Sequence, residues 1–409
     1  MALNAAPERT DLHSGTPYWL VRNGTDETYP VLATDIETEV VIIGGGITGA
    51  LCAYHLCEAG LGVVVVDSRA IGTGSTCAST ALLQYDIDLP LHDLAELIGL
   101  DRAVRSYHAS ADAVRNLLRI GERVGCELDQ RPSIQVASKR SHVKALRREA
   151  DLRKQHGFDV RFIPTEEEVR QCSPLIGPAA LRSELGAQVD AWRLTHALHT
   201  RNTRSGAQVF AHSHVEHIDT SDTRPLLTTT RGHRIRAQYL IHAGGYETTD
   251  LLPRGTVALH STYALVSEAG TLDQPWLDSA LIWETAHPYL YMRSAPEGRI
   301  ILGGRDESFR SPPLRDALLR KKTAALVKEF EERCAPLKLV PEFAWCGTFG
   351  ETKDALPIID QVRDDPRSFF ALGMGGNGIT FSLIAAEVIR DRILGHVHPA
   401  ADLFTLDRW

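Results

Sequence analysis

The sequence predicts an α/β protein: a Rossmann-like domain built from discontinuous segments, with inserted helices and a mostly antiparallel β-sheet. Three observations predict this class. The stretch "EVVIIGGGITGALCAYHLCEAGLGVVVVDSR" (39–69) has the pattern of a strand, a glycine turn, a helix and a second strand. A strand, a glycine turn and a helix recur near the end of the chain in "FFALGMGGNGITFSLIAAEVIRDRIL". Between 257 and 304 the pattern changes to successive strands, such as "VALHSTYALVSE" and "RIILGG".

The length of 409 residues exceeds what one hydrophobic core usually supports, so we expect two domains. Because Rossmann-like signals stand at both ends of the chain, one domain should comprise both ends and be interrupted by insertions. The predicted Rossmann-like domain comprises 1–88, 190–250 and 340–409. The predicted inserted domain comprises 89–189 and 251–339.

Composition and charge narrow the class of function. A hydrophobic fraction of 43% and a charged fraction of 23% are ordinary for a globular protein. The net charge of −8 argues against a nucleic-acid partner, because phosphate backbones favour clustered Lys and Arg. No apolar run reaches the roughly 18 residues of a membrane span. Seven cysteines without a C-x-x-C pair, and no secretory pattern in "MALNAAPERTDLHSG", predict a reduced, cytoplasmic chain.

The first half of the chain is expected to begin with an irregular lead-in and continue mainly as helix. The lead-in (1–38) carries one aromatic cluster, "TPYWLV". The small, polar stretch "AIGTGSTCASTALLQYD" (70–86) is predicted to be a loop that enters a helix. From about 89 to 160 helical periodicity dominates, interrupted by a short strand in "SIQVAS".

In the second half of the chain, helices and strands are expected to alternate more often. The stretch "WRLTHALHTRNTRSGAQVFAHSHVEHID" predicts a helix, a glycine turn and a strand, and "AQYLIHAGGYE" predicts a strand that ends in paired glycines. Strands are then predicted in "ALIWE" and "YLYMR", and a long helix over 314–333.

The first glycine turn has the residues of a dinucleotide site. Gly44, Gly46 and Gly49 fill the pattern G-x-G-x-x-G. The first allows a tight turn, the second lets the backbone approach a pyrophosphate, and the third packs helix against strand. Asp67 ends the second strand, where its carboxylate can accept hydrogen bonds from ribose hydroxyls. A turn used for packing alone would not need strand, glycines, helix and acid in this order, so we predict a bound dinucleotide.

Two further glycine-rich stretches, "GTGSTCAST" (72–80) and "GMGGNGIT" (373–380), indicate which dinucleotide. NAD needs no additional glycine element from the C-terminus, whereas a flavin has a second end, the isoalloxazine ring, that must also be held. A helix beginning near Gly378 would direct its N-terminal amides at the flavin O2 edge. With one complete fingerprint in the chain, we predict one tightly held FAD and no NAD site.

The chain resembles a known family, the D-amino-acid-oxidase-like flavoproteins. This family includes glycine oxidase, monomeric sarcosine oxidase and gamma-glutamylputrescine oxidase. The resemblance covers most of the chain, in the order "TPYWLV", "TEVVIIGGGITGA", "IGTGSTCAST", "AQVDAWRLTHAL", "YLIHAGGYE", "FAWCGTFGETKDALPIID" and "ALGMGGNGIT". It implies bound FAD and hydride transfer to flavin N5 from a carbon that bears nitrogen or oxygen. Positioning does most of the work in such chemistry, so no obligatory acid or base is expected.

The resemblance also implies which part of FAD each segment contacts. The 72–80 loop should pass over the pyrophosphate and the ring, the backbone of Val215 should contact the adenine region, and Gly375–Gly378 should hold the pyrimidine end. The expected cofactor-binding residues are Gly44, Gly46, Ile47, Thr48, Gly49, Asp67, Ser68, Arg69, Gly74, Ser75, Thr76, Ser79, Thr80, Leu82, Val215, Ala243, Gly244, Gly347, Gly375, Gly376, Asn377, Gly378, Ile379 and Thr380.

The family attaches FAD covalently in some members, and this chain departs from both patterns. One attachment uses a cysteine in the block that matches "WCGTFGETKD", where the position falls on Gly347 with Cys346 beside it. Another uses a histidine in the "GSTCAST" loop, where this chain has Cys77 and Ala78. Non-covalent FAD is therefore expected, and a Cys346 linkage is the alternative.

Candidate substrate residues lie on the inserted strands. "PYLYMR" alternates, which would place Tyr289, Tyr291 and Arg293 on one strand face, where the arginine could bind a carboxylate. An ordinary solvated strand face is the equally weighted alternative. Arg305 is a second candidate for an anionic group, and a pairing with Asp306 or Glu307 is its alternative. Lys353 is either near the ring, where a cation would help oxygen accept electrons, or on the surface.

Weaker candidates follow from position alone. Tyr263 and Trp283 lie on predicted strands. Gln84 and Tyr85 follow the 72–80 loop and could face the flavin. Glu284 could bind a cationic amine or be a surface acid.

The run "HSHVEH" contains His212, His214 and His217. With no carboxylate or cysteine at a metal-like spacing, we interpret these as solvated histidines and predict no metal site.

We therefore expect an FAD-dependent oxidoreductase that oxidises a small amine or amino acid and passes electrons to O2 or an electron carrier. A 2-hydroxy-acid dehydrogenase on the same fold, and a flavin-binding subunit of a larger complex, are the alternatives.

Overall fold

The computed structural model describes residues 11–24, 28–272, 276, 279–363 and 365–408. The helices are α1 (Tyr18–Asn23), α2 (Ile47–Glu58), α3 (Ser75–Ala78), α4 (Leu91–Ile98), α5 (Leu100–Val124), α6 (Val143–Gln155), α7 (Glu166–Cys172), α8 (Ala191–Arg204), α9 (Pro312–Arg333) and α10 (Gly378–Ile393). In the described ranges no helix is both long and apolar enough to span a bilayer.

The strands fall into a parallel group, an antiparallel group and a small third sheet. They are β1 (His13–Gly15), β2 (Ile36–Ile43), β3 (Val63–Val66), β4 (Leu82–Gln84), β5 (Asp129–Gln130), β6 (Ser133–Val136), β7 (Val160–Ile163), β8 (Ala180–Ser183), β9 (Gly186–Gln188), β10 (Gln208–Phe210), β11 (Val215–Asp219), β12 (Leu226–Thr229), β13 (Arg234–His242), β14 (Ala258–Ser267), β15 (Leu281–Glu284), β16 (Tyr291–Ala295), β17 (Arg299–Ser308), β18 (Pro341–Glu351), β19 (Ile358–Val362) and β20 (Asp365–Leu372).

The Rossmann-like sheet is parallel in the order β10, β3, β2, β13 and β20. The hairpin β11–β12 pairs antiparallel with the first part of β13, and β19 pairs antiparallel with β20. Helix α2 packs against both α8 and α10. Val40, Val41 and Ile42 are fully buried, which explains the uninterrupted apolar run of β2 in the sequence. The predicted βαβ unit is confirmed.

The second sheet runs in the order β1, β18, β14, β17, β16, β15, β6, β8 and β7, with antiparallel pairing except between β15 and β6. Helix α9 packs against β14, β17 and β18 and buries Leu326 and Phe330. The third sheet, β4–β9–β5, is antiparallel. The predicted class, a Rossmann-like parallel sheet with an inserted, mostly antiparallel one, is confirmed.

The domain boundaries stay a prediction. The parallel sheet takes its strands from three separate stretches of the chain, 36–66, 208–242 and 358–372. Strand β18 belongs to the predicted third Rossmann-like segment, yet it lies inside the antiparallel sheet between β1 and β14.

Three local predictions are wrong. The lead-in is not irregular throughout: "HSG" forms β1, because its backbone pairs with β18, and "YWLVRN" forms α1. The 70–86 stretch contains the short helix α3 and continues into strand β4 rather than a helix. Strand β16 begins at Tyr291 and leaves out Tyr289, because the amide of Leu290 donates to the Glu284 carboxylate at 3.2 Å instead of pairing with a strand.

Candidate functional site

A long cleft lies at the carboxyl edge of the parallel sheet. Strands β2, β3, β13 and β20 are followed there by Gly44, Asp67, Ala243 and Gly373, and all four of these residues line the cleft. Parallel strands present their carboxyl ends to the same edge, which is where open α/β sheets bind ligands. The cleft continues past this edge to side chains of the antiparallel sheet, including Tyr291.

The glycine turn between β2 and α2 requires its glycines. Gly44 has φ +113°, a backbone conformation that favours glycine. A Cβ on Gly49 would overlap the carbonyl oxygen of Gly44, so Gly49 allows α2 to pack closely on β2, and it does not line the cleft. A Cβ on Gly46 would stand 2.9 Å from the Thr76 hydroxyl. The first turn of α2, whose amides have no acceptor within the helix, faces the same space.

The 72–80 loop is held over the glycine turn by hydrogen bonds from three directions. The indole of Trp19 donates to the Ser79 carbonyl at 2.6 Å, and the indole of Trp345 donates to the Ala78 carbonyl at 2.8 Å. The Ile47 amide donates to the Thr76 hydroxyl at 3.1 Å. The aromatic cluster of the lead-in therefore fixes the loop that closes the cleft.

Asp67 and Arg69 form the opposite wall. The Asp67 carboxylate accepts hydrogen bonds from the amides of Gly45 (2.7 Å) and Arg69 (2.8 Å), and burial raises its pKa. The Arg69 guanidinium donates two hydrogen bonds of 2.6 Å to Glu247. Val215 and its neighbour His214 line the same end of the cleft.

The C-terminal glycine turn reaches the cleft from the other side. Gly375–Asn377 form a short 3-10 turn, and α10 begins at Gly378 as predicted. The Asn377 amide group donates to the Asp86 carbonyl at 2.8 Å, which joins the turn to the segment after β4.

These elements fit a dinucleotide with a second, ring-bearing end. The Ser75 hydroxyl is buried without a hydrogen-bond partner among the described residues, and it lies on the wall that faces the α2 N-terminus. An orphaned hydroxyl, glycines at close approach and helix-terminal amides are the donors that a pyrophosphate requires. At the other end of the cleft, the turn at Gly375–Asn377 supplies backbone amides, apart from that of Gly376, which donates to Asp88.

A chamber of aromatic and acidic side chains, which we call the aromatic chamber, forms the far end of the cleft. The Tyr289 hydroxyl donates to Asp88 at 3.1 Å, and the Tyr289 and Tyr291 ring centroids are 5.8 Å apart. The other Asp88 carboxylate oxygen accepts the Gly376 amide at 3.0 Å. The lining of this end is Asp88, Tyr246, Thr262, Trp283, Tyr289, Tyr291, Asp306 and Phe349.

Burial makes the acids of the aromatic chamber weak. It raises the pKa of Asp306 to about 6, where a hydrogen bond from Thr262 opposes the shift and the Asp88 charge adds to it. It raises the pKa of neighbouring Glu351 to about 7, with Asp88 and Asp306 adding to the effect. The pKa of Asp88 is also raised by burial, against the hydrogen bonds it accepts from Gly376 and Tyr289.

Three predicted substrate residues do not reach the cleft. Arg293 shares a strand with Tyr291 but lies under Trp19, 5.1 Å from that ring, and donates to the Val189 carbonyl. Arg305 pairs with Glu329 at 2.6 Å on the outer side of the sheet. Lys353 is exposed and is absent from the cleft lining.

A β-bulge explains the position of Arg305. Ser261 and Tyr263 of β14 pair with Glu307 and Gly304 of β17, so β17 contains one extra residue between these pairs. Arg305 has φ +60°, and the bulge directs Asp306 rather than Arg305 into the aromatic chamber.

Some of the weaker candidates line the cleft and others do not. Trp283 and Gln84 line the cleft, whereas Tyr85 is buried against Phe158. Tyr263 is buried and lies outside the lining. Glu284 is neither an amine ligand in the cleft nor a surface acid, because it is 1% exposed and accepts from Arg333 at 2.8 Å.

Most of the expected cofactor residues line the cleft. The exceptions are Gly49 and Thr380, whose hydroxyl donates to the Gln84 carbonyl at 3.3 Å. His214 lines the cleft, and His212 and His217 do not. Within the described part of the chain no group of His, Cys, Asp and Glu could hold a metal ion. Each of the seven cysteines is a free thiol.

Sequence reasoning missed several lining residues, of which Asp88, Asp306, Tyr246 and Glu247 are the most prominent. Asp88 lies in "QYDIDLP", shortly after the 72–80 loop, and this position could have indicated that it lines the cleft. For Asp306 no signal existed, because simple alternation along β17 does not reveal a bulge.

Comparison with known proteins identifies the family. The family model described as FAD dependent oxidoreductase (DAO) matches residues 39–392. Gamma-glutamylputrescine oxidoreductase of Escherichia coli is 23% identical over 380 residues, which cover 90% of this chain and 86% of that protein. Glycine oxidase of Bacillus subtilis is 22% identical over 363 residues, which cover 87% of this chain and 93% of that protein.

A solved structure agrees in fold. Glycine oxidase from Geobacillus kaustophilus matches with a TM-score of 0.73 at 20% identity, covering 91% of this chain and 99% of that chain. The resemblance stated from the sequence is thereby confirmed. Since the family model spans most of the chain, this protein belongs to the DAO family and is an FAD-dependent oxidoreductase.

Proposed function

We propose that this enzyme holds one FAD without a covalent bond and oxidises a C–N bond of a small amine or amino acid. The observation that carries the proposal is the convergence of both glycine turns on one cleft that ends in the aromatic chamber. A long cofactor that enters between the turns would present its reactive ring to a substrate held in the aromatic chamber.

The residues of the glycine turn are proposed to hold the nucleotide half of the cofactor. Gly44, Gly46, Ile47 and the amide of Thr48 would face the pyrophosphate, together with the unpartnered Ser75 hydroxyl. Asp67, Ser68, Arg69 and Val215 would surround the ribose and adenine. The remaining proposed contacts along this half are Gly74, Thr76, Ser79, Thr80, Leu82, Ala243 and Gly244.

The flavin half is proposed to lie against Gly347 and the Gly375–Ile379 segment. The N-terminus of α10 carries partial positive charge, which stabilises negative charge at the O2 edge of a flavin ring. FAD bound there would accept a hydride at N5 and pass electrons to O2 or another acceptor. The chain itself would position the substrate against the ring.

The arrangement of thiols supports a non-covalent cofactor. No cysteine is found among the described residues that line the cleft, and Gly347 offers no nucleophile. The Cys346 thiol points to the opposite face of β18, where it lies 3.5 Å from an Asp316 oxygen, and burial raises its pKa to about 11. A thiol that is protonated at neutral pH is a poor nucleophile.

The names of the relatives support a C–N bond as the target, since one is an oxidoreductase of gamma-glutamylputrescine and the other an oxidase of glycine. A cytoplasmic location is proposed from the seven free thiols, which suit a reducing compartment.

The test is an anaerobic bleaching screen of the purified enzyme with D- and L-amino acids, N-methyl amines, polyamine derivatives and 2-hydroxy acids. We expect a yellow protein whose flavin absorbance falls with compounds that contain an oxidisable C–N bond. Bleaching by 2-hydroxy acids alone would overturn the proposal. Admission of air afterwards distinguishes O2 from another acceptor.

Acid precipitation of the same sample tests the cofactor linkage. FAD should remain in the supernatant for both the wild-type enzyme and Cys346→Ala. Flavin that stays with the wild-type pellet and leaves the Cys346→Ala pellet would establish the covalent alternative.

A further inference from the structure

Resting on the function proposed above, we propose that the substrate is an organic cation without a carboxylate, whose ammonium group is bound by Asp88 and Asp306 inside the aromatic chamber. The charges that line the cleft are the first argument. Among the described lining residues, the basic side chains are Arg69 and His214, and both lie at the nucleotide end beside Asp67 and Val215. Arg69 is bridged there by Glu247.

The acids occupy the other end. Asp86, Asp88 and Asp306 line the cleft near the C-terminal glycine turn and the aromatic chamber. A carboxylate brought into the aromatic chamber would meet like charge and no cationic partner, and such an arrangement opposes binding. The charge of the lining therefore disfavours the recognition of an amino acid through its carboxylate.

Three cations near the aromatic chamber are engaged elsewhere, and His287, which lies beside Asp88 and Tyr289, is outside the cleft lining. Arg293 donates to the Val189 carbonyl beneath Trp19, and Arg305 pairs with Glu329 outside the sheet. Lys322 pairs with Glu307 at 2.7 Å. None of these three side chains lines the cleft.

Two of the acids have unused acceptor atoms. Asp86 is 5% exposed and pairs with Arg153 through one carboxylate oxygen, while its other oxygen has no partner among the described residues. One buried oxygen of Asp306 has none either. A buried polar atom without a partner is rare in proteins and indicates a missing ligand or water. An ammonium group donates up to three hydrogen bonds. The Asp306 carboxylate that accepts one of them can also take the proton that the amine must lose before its C–H bond gives up a hydride.

The walls suit a cation as well. The rings of Tyr289 and Tyr291 stand 5.8 Å apart, and Trp283 meets Tyr289 edge-on at 6.1 Å between centroids. Aromatic faces attract cations, and more strongly where water is excluded. Acid and ring surfaces together therefore select a positively charged group over a neutral or anionic one.

The test compares matched substrates with the holoenzyme. Pyrrolidine is compared with D- and L-proline, and N-methylethylamine with N-methylglycine, by anaerobic flavin bleaching. Each pair shares the reacting C–N bond and differs in the carboxylate. We expect the amines to bleach the flavin at lower concentration. Amino acids that bleach it equally well or better would overturn this inference while leaving the proposed C–N oxidation intact.

If none of these compounds reacts, that result counts against the proposed oxidation and not against cation binding. A binding titration then tests whether the aromatic chamber prefers a cation. Tetramethylammonium chloride should perturb the flavin spectrum and saturate, whereas sodium acetate at equal ionic strength should not. Stronger binding of acetate than of tetramethylammonium would overturn the inference.

Two single substitutions test whether the Asp306 carboxylate binds the cation. Asp306→Asn should raise the amine KM about tenfold to a hundredfold, as expected for one lost charge-assisted hydrogen bond. Tetramethylammonium has no N–H group, so its Kd should rise only because the carboxylate charge is lost. Glu307→Gln removes the same charge one residue away, outside the cleft lining, and should leave both constants unchanged. If Asp306→Asn does not retain flavin, Asp88→Asn replaces it, because its amide oxygen can still accept the Gly376 amide. Constants unchanged in the flavin-retaining variant would refute the assignment.

Discussion

Arg153→Met is expected to destabilise the protein strongly, because Arg153 is the only cation that we find between two buried carboxylates in the described chain. Arg153 is 1% exposed and forms ion pairs with Asp86 and with Glu149, the latter at 2.6 Å. The Arg153 charge helps hold the pKa of Glu149 down to about 2 despite burial, which raises it. Removing one partner of a buried ion pair costs about 3–5 kcal/mol.

The size of the melting shift follows from chain length. At about 2.1 cal/mol/K per residue, a chain of 409 residues has an unfolding entropy of about 0.9 kcal/mol/K. A loss of about 3–5 kcal/mol then lowers the melting temperature by about 3.5–6 °C if the protein unfolds as one unit. Differential scanning calorimetry on wild type and variant measures this shift.

Arg148→Met on the same helix α6 is the matched control. Arg148 pairs with Glu96 at 2.9 Å, but both side chains are more than half exposed, and such pairs contribute about 0–1 kcal/mol. We expect a shift of about 1 °C or less. The double variant Arg153→Met with Glu149→Gln should recover part of the loss, because it removes one stranded charge. Equal shifts for Arg153→Met and Arg148→Met would refute the reasoning.

The remaining predictions concern the cleft. Gly49→Ala should lower the flavin content of the purified protein, because the added Cβ overlaps the Gly44 carbonyl. The ratio of visible to ultraviolet absorbance measures this content. Gly62→Ala is the control and should retain flavin, because its added Cβ stays 3.4 Å from the nearest atom. Asp306→Asn should raise the melting temperature at pH 8 by up to about 3 °C. In the wild type the pKa of Asp306 is about 6, above the reference value of 3.8, so keeping this buried acid ionised costs at most about 3 kcal/mol. This cost develops as pH rises from about 4 through 6, so the gain should shrink at pH 5; a gain that is larger at pH 5 than at pH 8 would contradict the assignment of the pKa.

The cofactor end of the cleft was predictable because its signals are local. Gly44, Gly46 and Asp67 lie within one βαβ unit, whose spacing alone brings turn, helix terminus and acid together. The start of α10 at Gly378 was likewise readable, since a glycine turn before an apolar helix has few alternatives. The family resemblance extended this reasoning to Val215, which no local pattern would have selected.

The substrate end was not predictable because it depends on pairing between distant strands. Alternation predicted Tyr289, Tyr291 and Arg293 on one face, and it could not say that the cleft ends before Arg293. The bulge opposite Thr262 exchanged Arg305 for Asp306, which reversed the sign of the charge offered to a ligand.

The sequence by itself therefore determined the fold class, the cofactor family and the turns that hold a dinucleotide, since each is encoded by neighbours along the chain. Only the tertiary structure decided the chemistry of the aromatic chamber. Its walls include Asp88 and Tyr289, which are 201 residues apart in sequence, together with Asp306. They meet only when the antiparallel sheet sets its register beside the C-terminal glycine turn.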